Sequence, residues 1–433
     1  MGILIIADDF TGANDTGVKI FKRNIPTSIY LDGLPKTRAI ENCCVVNTET
    51  RALSSDRAYN KVRDYLKELD LETADLVYKK IDSTLRGNIG SEIDSILHHS
   101  SLAGAIIAPA YPKCGRIVVG GFQLVNNQLL EDTEFARDYK NPIKDSYLPD
   151  LLAKQSESQV YPISIKEIRS GNLQDLIVQK LLDGYKLFIL DSVETGDLDR
   201  IAESMESYYG RFLWVGSAGL ADSIAKRRVS RNKSFRAPLN YAHEVGLFPT
   251  LVLAGSMNSM TRRQIQYLAK RGYSIFEIDP LLLLDHRKRD GEIQELIQEV
   301  ERKLFSENCC VLTTKQNEKV RAEIKAFKDL HQLTNIEIGN KIAYQFGRIG
   351  AILTKRVRLA GLVLTGGDIA FHTCDQLDIN KVEIIGEVEE GIPLALYRDK
   401  QNNYLRIVTK AGGFGKEDTL AQAIFKINEF ERR

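Results

Sequence analysis

Two polar clusters follow short apolar runs in the first quarter of the 433-residue chain. Residues 6–17 read IADDFTGANDTG, and residues 79–90 read KKIDSTLRGNIG. The carboxylates of Asp9 and Asp82 are hydrogen-bond acceptors, and the neighbouring hydroxyl, amide and ammonium groups add donors. This mixture of groups suits a small ligand that carries several hydroxyl groups and an acidic group.

Each polar residue has a simpler structural interpretation when it is taken alone. Asp9 or Asn14 would cap the helix after the first apolar run, and Ser83 would cap the next one. Capping does not require this many polar groups at two neighbouring strand ends, so the repetition favours a binding site. A hydrolase of the aspartyl-phosphate type is disfavoured, because its two aspartates lie two residues apart. Asp8 and Asp9 are adjacent and are expected to point to opposite sides of an extended chain.

Cationic side chains near these clusters predict an acidic ligand. Arg51 follows the apolar run CCVVN in the segment NTETRAL, and a guanidinium group binds a carboxylate through two parallel hydrogen bonds. Lys80 and Arg86 lie in the second cluster. A solvated surface position is the alternative for each cation. We expect Arg51 or Lys80 to neutralise a carboxylate, while Asp9 and Asp82 accept hydrogen bonds from hydroxyl groups.

Three glycine-containing segments in the second half predict contacts with phosphate. They read LAGSMNS at 253–259, LTGGDIA at 364–370 and TKAGGFGKEDTL at 409–420. Glycine lets backbone N–H groups approach a phosphate without an intervening Cβ atom, and a helix N-terminus favours negative charge. The last segment is not a Walker A loop, because Lys410 and Glu417 stand where that loop needs Gly and Ser or Thr. Each segment alone fits an ordinary turn, but together they favour a nucleotide.

The hydrophobic pattern predicts the elements that position these clusters. Short apolar runs such as ILIIA, CCVVN and LVYKK alternate with amphipathic stretches, which is typical of parallel sheets covered by helices. We expect two α/β domains with mainly parallel sheets and helices on both faces, and an active site in the interdomain cleft. The predicted bounds are 1–228 and 248–433, joined by a basic and polar linker at 229–247. The less regular stretch from 121 to 161 is expected to be a substrate loop or a dimer arm.

Composition and charge narrow the class of protein. The chain is 43% hydrophobic and 27% charged, and its formal net charge of +1 provides no global field for nucleic acid or an anionic membrane. Six cysteines in a chain of this length make no disulfide scaffold, and no CxxC spacing typical of zinc sites occurs. Neither a signal-peptide core nor a run of about 20 apolar residues is present. We expect a cytoplasmic protein without nucleic-acid or membrane partners, and a homodimer stays open.

In order and spacing, these motifs and PAYPKCGR (residues 109–116) resemble the four-carbon acid sugar kinase family over nearly the whole chain. The resemblance implies phosphorylation of the terminal (4-) hydroxyl of a small sugar acid, with ATP and Mg²⁺. D-threonate is the first expectation, since GANDTG with Asn14 is similar to the threonate branch; D-erythronate, L-threonate and 3-oxotetronate are the alternatives. The implied substrate-binding residues are Asp9, Arg51, Lys80, Ile81, Asp82 and Ser83. The implied nucleotide-binding residues are Ser256, Gly366, Gly367, Asp368, Ile369 and Gly412.

Two classes of function therefore compete. The first is an ATP-dependent sugar-acid kinase, and the second is a non-catalytic protein that senses a nucleotide or metabolite. Carboxylates at both strand ends favour the kinase, in which Asp9 and Asp82 are the candidate catalytic residues. Asp9 has no cationic neighbour in sequence and is the expected general base, whereas Asp82, two residues from Lys80, is expected to stay ionised and orient the hydroxyl. Asp368 is assigned to ATP, and no residue is assigned to a metal site.

A fragment that begins at about residue 246 is expected to bind ATP without the first domain, because all three glycine-containing segments lie after residue 247. The measurement is thermal unfolding of the fragment with and without MgATP, which stabilises only a protein that binds it. The fragment 1–228 is the control and is expected to show no shift. A folded C-terminal fragment whose melting temperature does not respond to ATP would contradict this assignment.

Overall fold

Two compact units make up the chain, Met1–Pro238 and Leu239–Arg433. The structure is a computed structural model, and the residues that it describes are 2–31, 33–34, 40, 42–137, 142–231, 248–255, 258–284 and 289–429. The division falls within the predicted linker at 229–247, of which 232–247 lie outside the described residues. The bounds 1–228, 229–247 and 248–433 therefore stay predictions.

Parallel strands form the main sheet of the first unit. The strands of this unit are β1 (Gly2–Ala7), β2 (Thr27–Tyr30), β3 (Asn42–Asn47), β4 (Leu76–Lys80), β5 (Ala105–Ala108), β6 (Arg116–Val119), β7 (Phe122–Val125), β8 (Gln128–Leu129), β9 (Val160–Ile163), β10 (Leu187–Leu190) and β11 (Leu213–Gly216). Eight of them pair in the order β2-β3-β1-β4-β11-β5-β10-β9, and all of these pairings are parallel. Most of these strands are buried along their whole length, which explains their continuous apolar runs.

Helices cover both faces of this sheet. They are α1 (Phe10–Phe21), α2 (Ser55–Glu68), α3 (Ile89–His98), α4 (Leu148–Ala153), α5 (Ile165–Arg169), α6 (Leu173–Leu182), α7 (Thr195–Ser204) and α8 (Ala218–Arg231). The helix α1 leads from β1 towards β2, whereas α2 leads from β3 back past β1 to β4. Since such crossovers are right-handed, α1 and α2 lie on opposite faces. The chain therefore changes direction at β1, and ligands of open α/β sheets bind at such a point, outside the carboxyl ends of the strands.

The stretch from 121 to 161 has more regular structure than its sequence predicts. The strands β6, β7 and β8 form a separate antiparallel sheet, and α4 follows it. The carboxylate of Asp191 accepts hydrogen bonds from the N–H groups of Gly120 (2.7 Å) and Gly121 (3.0 Å) and so fixes the turn between β6 and β7. Residues 138–141 lie outside the described residues. A substrate-loop or dimer role for this stretch stays a prediction.

A mixed sheet forms the centre of the second unit. Its strands are β12 (Thr250–Ala254), β13 (Ser274–Ile278), β14 (Cys309–Thr314), β15 (Gly361–Thr365), β16 (Lys381–Glu389), β17 (Ile392–Arg398) and β18 (Tyr404–Lys410). They pair in the order β13-β14-β12-β15-β18-β17-β16. The pairings from β13 to β18 are parallel, and those of β17 with β18 and β16 are antiparallel. The sequence analysis does not predict the β16–β17 hairpin.

The helices of the second unit repeat the connections of the first. They are α9 (Ser259–Ala269), α10 (Pro280–Leu284), α11 (Arg289–Ser306), α12 (Glu318–Leu330), α13 (Asn335–Arg356), α14 (Gly367–Gln376) and α15 (Thr419–Glu429). Here α9 leads from β12 towards β13, and α12 and α13 lead back past β12 to β15, so the chain changes direction at β12. The prediction of two α/β domains with mainly parallel sheets and helices on both faces is confirmed. Within the described residues, no helix is long and apolar enough to cross a membrane.

Two glycines of α13 are expected to respond oppositely to alanine. A Cβ atom at Gly347 would lie 2.8 Å from backbone atoms of His372 and Thr373 in α14, whereas one at Gly339 would meet no atom within 4 Å. Gly347→Ala should destabilise the second unit by about 1–3 kcal/mol through overpacking. Gly339→Ala should stabilise it by about 0.5–1 kcal/mol, because alanine loses less backbone entropy in a helix.

Thermal unfolding of the full chain, followed by calorimetry, measures both effects. The expected order of melting temperature is Gly339→Ala above the unmodified protein and Gly347→Ala below it. Equal shifts in the same direction would contradict the close packing of α13 on α14.

Candidate active site

Three adjacent strands of the first unit end in the predicted polar clusters. Ala7, the last residue of β1, pairs with Asn47 of β3 and with Lys80 of β4. The segments after these strands therefore lie side by side at the carboxyl edge of the sheet, where the chain changes direction. This arrangement brings together all of the predicted substrate-binding residues, namely Asp9, Arg51, Lys80, Ile81, Asp82 and Ser83.

Backbone hydrogen bonds join the segment after β3 to the end of β1. The N–H of Thr48 donates to the carbonyl of Ala7 (2.8 Å), and those of Thr50 and Arg51 donate to the carbonyl of Asp8 (3.0 and 3.2 Å). These bonds hold the Arg51 backbone directly beside the aspartate pair. The position of Arg51 therefore follows from strand pairing rather than from its own side chain.

The guanidinium group of Arg51 binds both aspartates of the first cluster. Its Nε and Nη2 atoms donate to Asp8 (2.8 and 2.9 Å), and its Nη1 and Nη2 atoms donate to Asp9 (2.5 and 2.7 Å). These four bonds use four of the five guanidinium N–H groups. Among the described contacts one N–H remains, so in this arrangement Arg51 does not offer a substrate carboxylate the two parallel hydrogen bonds expected from the sequence. Its place among the substrate-binding residues stays a prediction. Asp8 and Asp9 also do not point apart, since both reach the same group.

The two carboxylates differ in exposure and in proton affinity. Asp8 is 3% exposed and Asp9 is 21% exposed. Burial would raise the pKa of Asp8, but the cations Arg51, Lys79 and Lys80 outweigh it and hold that pKa below its ordinary value. Burial also raises the pKa of Asp9, and Arg51 only partly offsets it because the charge of Asp8 acts in the same direction as burial. Asp8 is thus a fixed anion, whereas Asp9 takes up a proton more readily.

Asp9 also caps α1, as the simpler interpretation of its position requires. Its Oδ1 atom accepts the N–H of Gly12 (2.8 Å). A Cβ atom at Gly12 would lie 2.6 Å from Asp9 Oδ1 and 2.9 Å from Lys80 Nζ, so the glycine leaves room for both side chains. The ammonium group of Lys80 donates to the carbonyl of Ile81 (3.0 Å). Capping and a place in the charged cluster are therefore compatible roles for Asp9.

Asp82 is held as an anion by a different cation from the one predicted. Arg86 Nε and Thr84 Oγ1 both donate to its Oδ2 atom at 2.5 Å. Burial would raise the pKa of Asp82, but Arg86 and then Arg51 outweigh it and hold the pKa far below its ordinary value. Lys80, the expected partner, is not among the groups in hydrogen-bond contact with it. The lowered pKa agrees with the expectation that Asp82 stays ionised, but the main cause is Arg86 and not Lys80.

Two further residues of the clusters, Ile81 and Asn14, contribute mainly through the backbone or the core, whereas the third, Ser83, is only partly buried. Ile81 is buried, and its N–H donates to the carbonyl of Gly216 (2.9 Å). Asn14 is buried within α1, and its Nδ2 atom donates to the carbonyl of Phe10 (2.9 Å). Asn14 therefore does not present its amide at the carboxyl edge, although the sequence places it in the first cluster.

A fully buried ion pair lies behind the cluster, and the sequence analysis did not find it. Lys79 Nζ is 2.8 Å from Glu92 Oε2, and both side chains are at most 1% exposed. Lys79 also donates to the carbonyl of Lys80 (3.0 Å). Burial raises the pKa of Glu92, and Lys79 opposes that effect. The sequence does contain a sign of this pair, namely two adjacent lysines at the end of β4. Adjacent residues of a strand point to opposite faces of the sheet, so a buried strand needs an acidic partner for a lysine on its inner face.

Three adjacent strand ends of the second unit carry the glycine segments. Thr365, the last residue of β15, pairs with Ala254 of β12 and with Lys410 of β18. Gly366 has φ of 105°, a conformation that favours glycine, and its N–H donates to the carbonyl of Lys410 (2.8 Å). Five predicted nucleotide-binding residues lie at this edge, namely Gly366, Gly367, Asp368, Ile369 and Gly412. Ser256 lies outside the described residues.

The 411–417 loop after β18 is anchored from its inner side. Lys410 Nζ donates to the carbonyls of Ala411 (2.9 Å), Gly412 (3.1 Å) and Phe414 (3.2 Å). Two residues of α9 bind the same loop: Thr261 donates to Gly412 O (2.8 Å), and Gln264 donates to Phe414 O (3.1 Å) and Lys416 O (2.7 Å). The sequence analysis used Lys410 only to exclude a Walker A loop and did not predict these contacts.

Two family models match successive parts of the chain. Residues 3–224 match the family model of a sugar-binding N-terminal domain, and residues 251–420 match that of a nucleotide-binding C-terminal domain. A solved structure from Salmonella typhimurium LT2 has a TM-score of 0.80 and 22% identity and covers 98% of both chains. At that identity the likeness shows the fold alone.

Curated relatives are similar over almost the whole length. A D-threonate kinase of Salmonella typhimurium strain LT2 is 33% identical over 431 residues, which cover 99% of each chain. A D-erythronate kinase of Heliobacterium modesticaldum is 28% identical over 439 residues, which cover 98% of this chain and 96% of that protein. With two family models matched in sequence order and this full-length similarity, the chain belongs to the four-carbon acid sugar kinase family.

Proposed function

We propose that this protein is an ATP-dependent kinase that phosphorylates the terminal (4-) hydroxyl of a four-carbon sugar acid, with D-threonate as its preferred substrate. The observation that carries the proposal is the charged cluster of the first unit, in which acceptors for hydroxyl groups and cations for a carboxylate lie together. The choice of D-threonate is supported by the 33% identity to a D-threonate kinase, against 28% to a D-erythronate kinase.

Lys80 is the better candidate for the substrate carboxylate. Its side chain is buried, and one of the three ammonium N–H groups donates to Ile81. Within the part of the chain that the structure describes, two N–H groups are thus left for a ligand, compared with one on Arg51. We assign carboxylate binding to Lys80, with the remaining N–H of Arg51 in support. Ser83 and the Asp82 carboxylate would then contact the hydroxyl groups.

Asp9 is the proposed general base. Its raised pKa and its greater exposure than that of Asp8 suit a group that takes a proton from the attacking hydroxyl. Asp82, with its strongly lowered pKa, suits a group that stays ionised and orients the hydroxyl. Asp8, bound by Arg51, keeps that arginine in place.

The second unit is proposed to bind ATP through its three glycine-containing strand ends. Phosphoryl transfer depends mainly on positioning and on neutralising the phosphate charge, and Mg²⁺ supplies part of that neutralisation when it is bound. Among the described residues, no group of three or more His, Cys, Asp or Glu side chains could hold a metal ion. This fits Mg²⁺, which is usually carried by substrate phosphates with one or two carboxylates. Asp368, in the first turn of α14, is the proposed carboxylate.

Kinase activity on a panel of four-carbon acids tests the proposed substrate. The panel contains D-threonate, L-threonate, D-erythronate and 3-oxotetronate with MgATP, and the rate is followed by ADP formation. We expect the highest kcat/KM for D-threonate, with the phosphate on O4 by ³¹P NMR of the product. A higher kcat/KM for another member would overturn the choice of D-threonate. Absence of any phosphorylated product across the panel would overturn the kinase proposal.

Replacing the proposed base tests its role. Asp9→Asn keeps an oxygen that can accept the N–H of Gly12 but cannot take up the proton, so kcat should fall by about 10²–10⁴-fold while the substrate still binds. Steady-state kinetics and direct titration with D-threonate measure the two effects separately. The matched control is Asp64→Asn, which alters an exposed carboxylate of α2 and should leave both constants unchanged. If Asp9→Asn keeps a normal kcat and only weakens binding, Asp9 is a binding residue.

A further inference from the structure

Lys410 is a buried cation with no donor left for a ligand. Its side chain is 2% exposed, and its Nζ atom lies 2.9–3.2 Å from the carbonyl oxygens of Ala411, Gly412 and Phe414. An ammonium group has three N–H donors, and these three carbonyls account for all of them. Any effect of Lys410 on a bound molecule must therefore act through the loop.

Four carbonyl groups of the 411–417 loop are held on its inner side. Lys410 binds those of Ala411, Gly412 and Phe414, and α9 adds Thr261 and Gln264. Gln264 also binds the carbonyl of Lys416. These four carbonyls are directed to the inner side and so do not repel an anion on the outer side.

The fixed carbonyls determine where the backbone N–H groups point. In a planar trans peptide the N–H is directed opposite to the C=O, and the described residues contain no cis peptide bond. The N–H groups that follow the four bound carbonyls therefore face away from Lys410 and α9; they belong to Gly412, Gly413, Gly415 and Glu417. None of the four donates to another described residue. Backbone N–H groups on the outer side of a loop that have no protein acceptor are donors that an anion can accept.

We propose that Lys410 is a positioning residue for the phosphate groups of ATP, because its ammonium group turns the loop carbonyls inward and so presents the backbone N–H groups to phosphate. This inference rests on the proposed nucleotide function of the second unit. It differs from the action of a Walker A lysine, which contacts the phosphates with its own ammonium group.

The charge of Lys410 should make this arrangement depend on pH. Burial lowers the pKa of Lys410 to about 8, and the carboxylate of Glu389 at the end of β16 opposes that shift. Glu389 is the charged group that acts on Lys410. The neighbouring α9 contributes the neutral Thr261 and Gln264, and β15 contributes Thr365, which pairs with Lys410. A bound polyanion favours the ammonium form, and loss of the proton leaves two N–H groups for three carbonyls. Affinity for ATP should therefore be highest below pH 8 and fall as the pH rises above it.

Titration of the full-length protein with MgATP in a calorimeter tests the inference. Lys410→Met removes all three donors and should weaken ATP binding by about 10- to 100-fold, with little change in the affinity for the sugar acid. Lys410→Arg keeps the charge but, as a planar fork, cannot cap three converging carbonyls, so it should also bind weakly. The control is Lys400→Met, which removes an exposed lysine from the turn between β17 and β18. ATP affinity equal to that of the unmodified protein in either Lys410 variant would overturn the proposal.

Two measurements remain informative without relying on catalysis. Between pH 7.5 and 9.5, where a terminal phosphate with a pKa near 6 is already ionised, the ATP affinity of the unmodified protein should fall and that of Lys410→Met should stay level. A level profile in both would contradict the role of the ammonium group. In ligand-free protein, the N–H groups of Phe414 and Lys416, which bond to Ala411 O and Thr419 Oγ1, should exchange faster in Lys410→Met.

The exchange measurement separates this inference from the proposed function. If the unmodified protein binds no ATP, the nucleotide function is wrong and the proposed phosphate role of Lys410 falls with it. If it binds ATP and exchange at Phe414 and Lys416 is unchanged in Lys410→Met, only the positioning role is wrong.

Discussion

The hydrogen bonds from Arg51 to Asp8 and Asp9 are the interaction on which the first site depends. Two adjacent carboxylates repel each other, and a carboxylate as buried as Asp8 is costly unless a cation binds it. The single guanidinium group relieves both costs, and the backbone bonds to Asp8 O place it there. The consequence is that most of the hydrogen-bond donors of Arg51 hold Asp8 and Asp9 in place.

Both units place polar groups at the carboxyl edge of a sheet, but the kind of group differs. The first unit places charged side chains at the ends of β1, β3 and β4, which suits a ligand whose hydroxyl groups must be distinguished one by one. The second unit places backbone groups at the ends of β12, β15 and β18, which suits phosphate, since a chain of N–H groups recognises charge and shape rather than stereochemistry. In each unit a cation, the partly buried Arg51 or the buried Lys410, binds groups of the protein itself.

The sequence predicts the sheets and the location of the clusters well, because alternating apolar runs and strand-end polarity are local signals. It does not predict the partners within the clusters, since these are long-range. Asp8 and Arg51 are 43 residues apart, and strand register alone brings them together. Asn14 shows the same limit, as helical geometry turns its amide back to Phe10 O. The β16–β17 hairpin was missed for a different reason. The sequence analysis recognised strands as apolar runs that alternate with amphipathic helices, and no helix separates the two strands of the segment KVEIIGEVEEGIPLALYRD.

The buried pair of Lys79 and Glu92 limits how this protein can change over evolutionary time. Losing either partner alone leaves an isolated charge in the core, which typically costs about 3–5 kcal/mol, whereas replacing both by apolar residues is often neutral for stability. A substitution of Lys79 or Glu92 alone is therefore selected against, and both residues must be replaced together to keep the fold stable. The double replacement would also remove the positive charge of Lys79, which helps to keep Asp8 ionised. A descendant protein with both replacements could therefore keep its fold while the charge of its candidate active site changes.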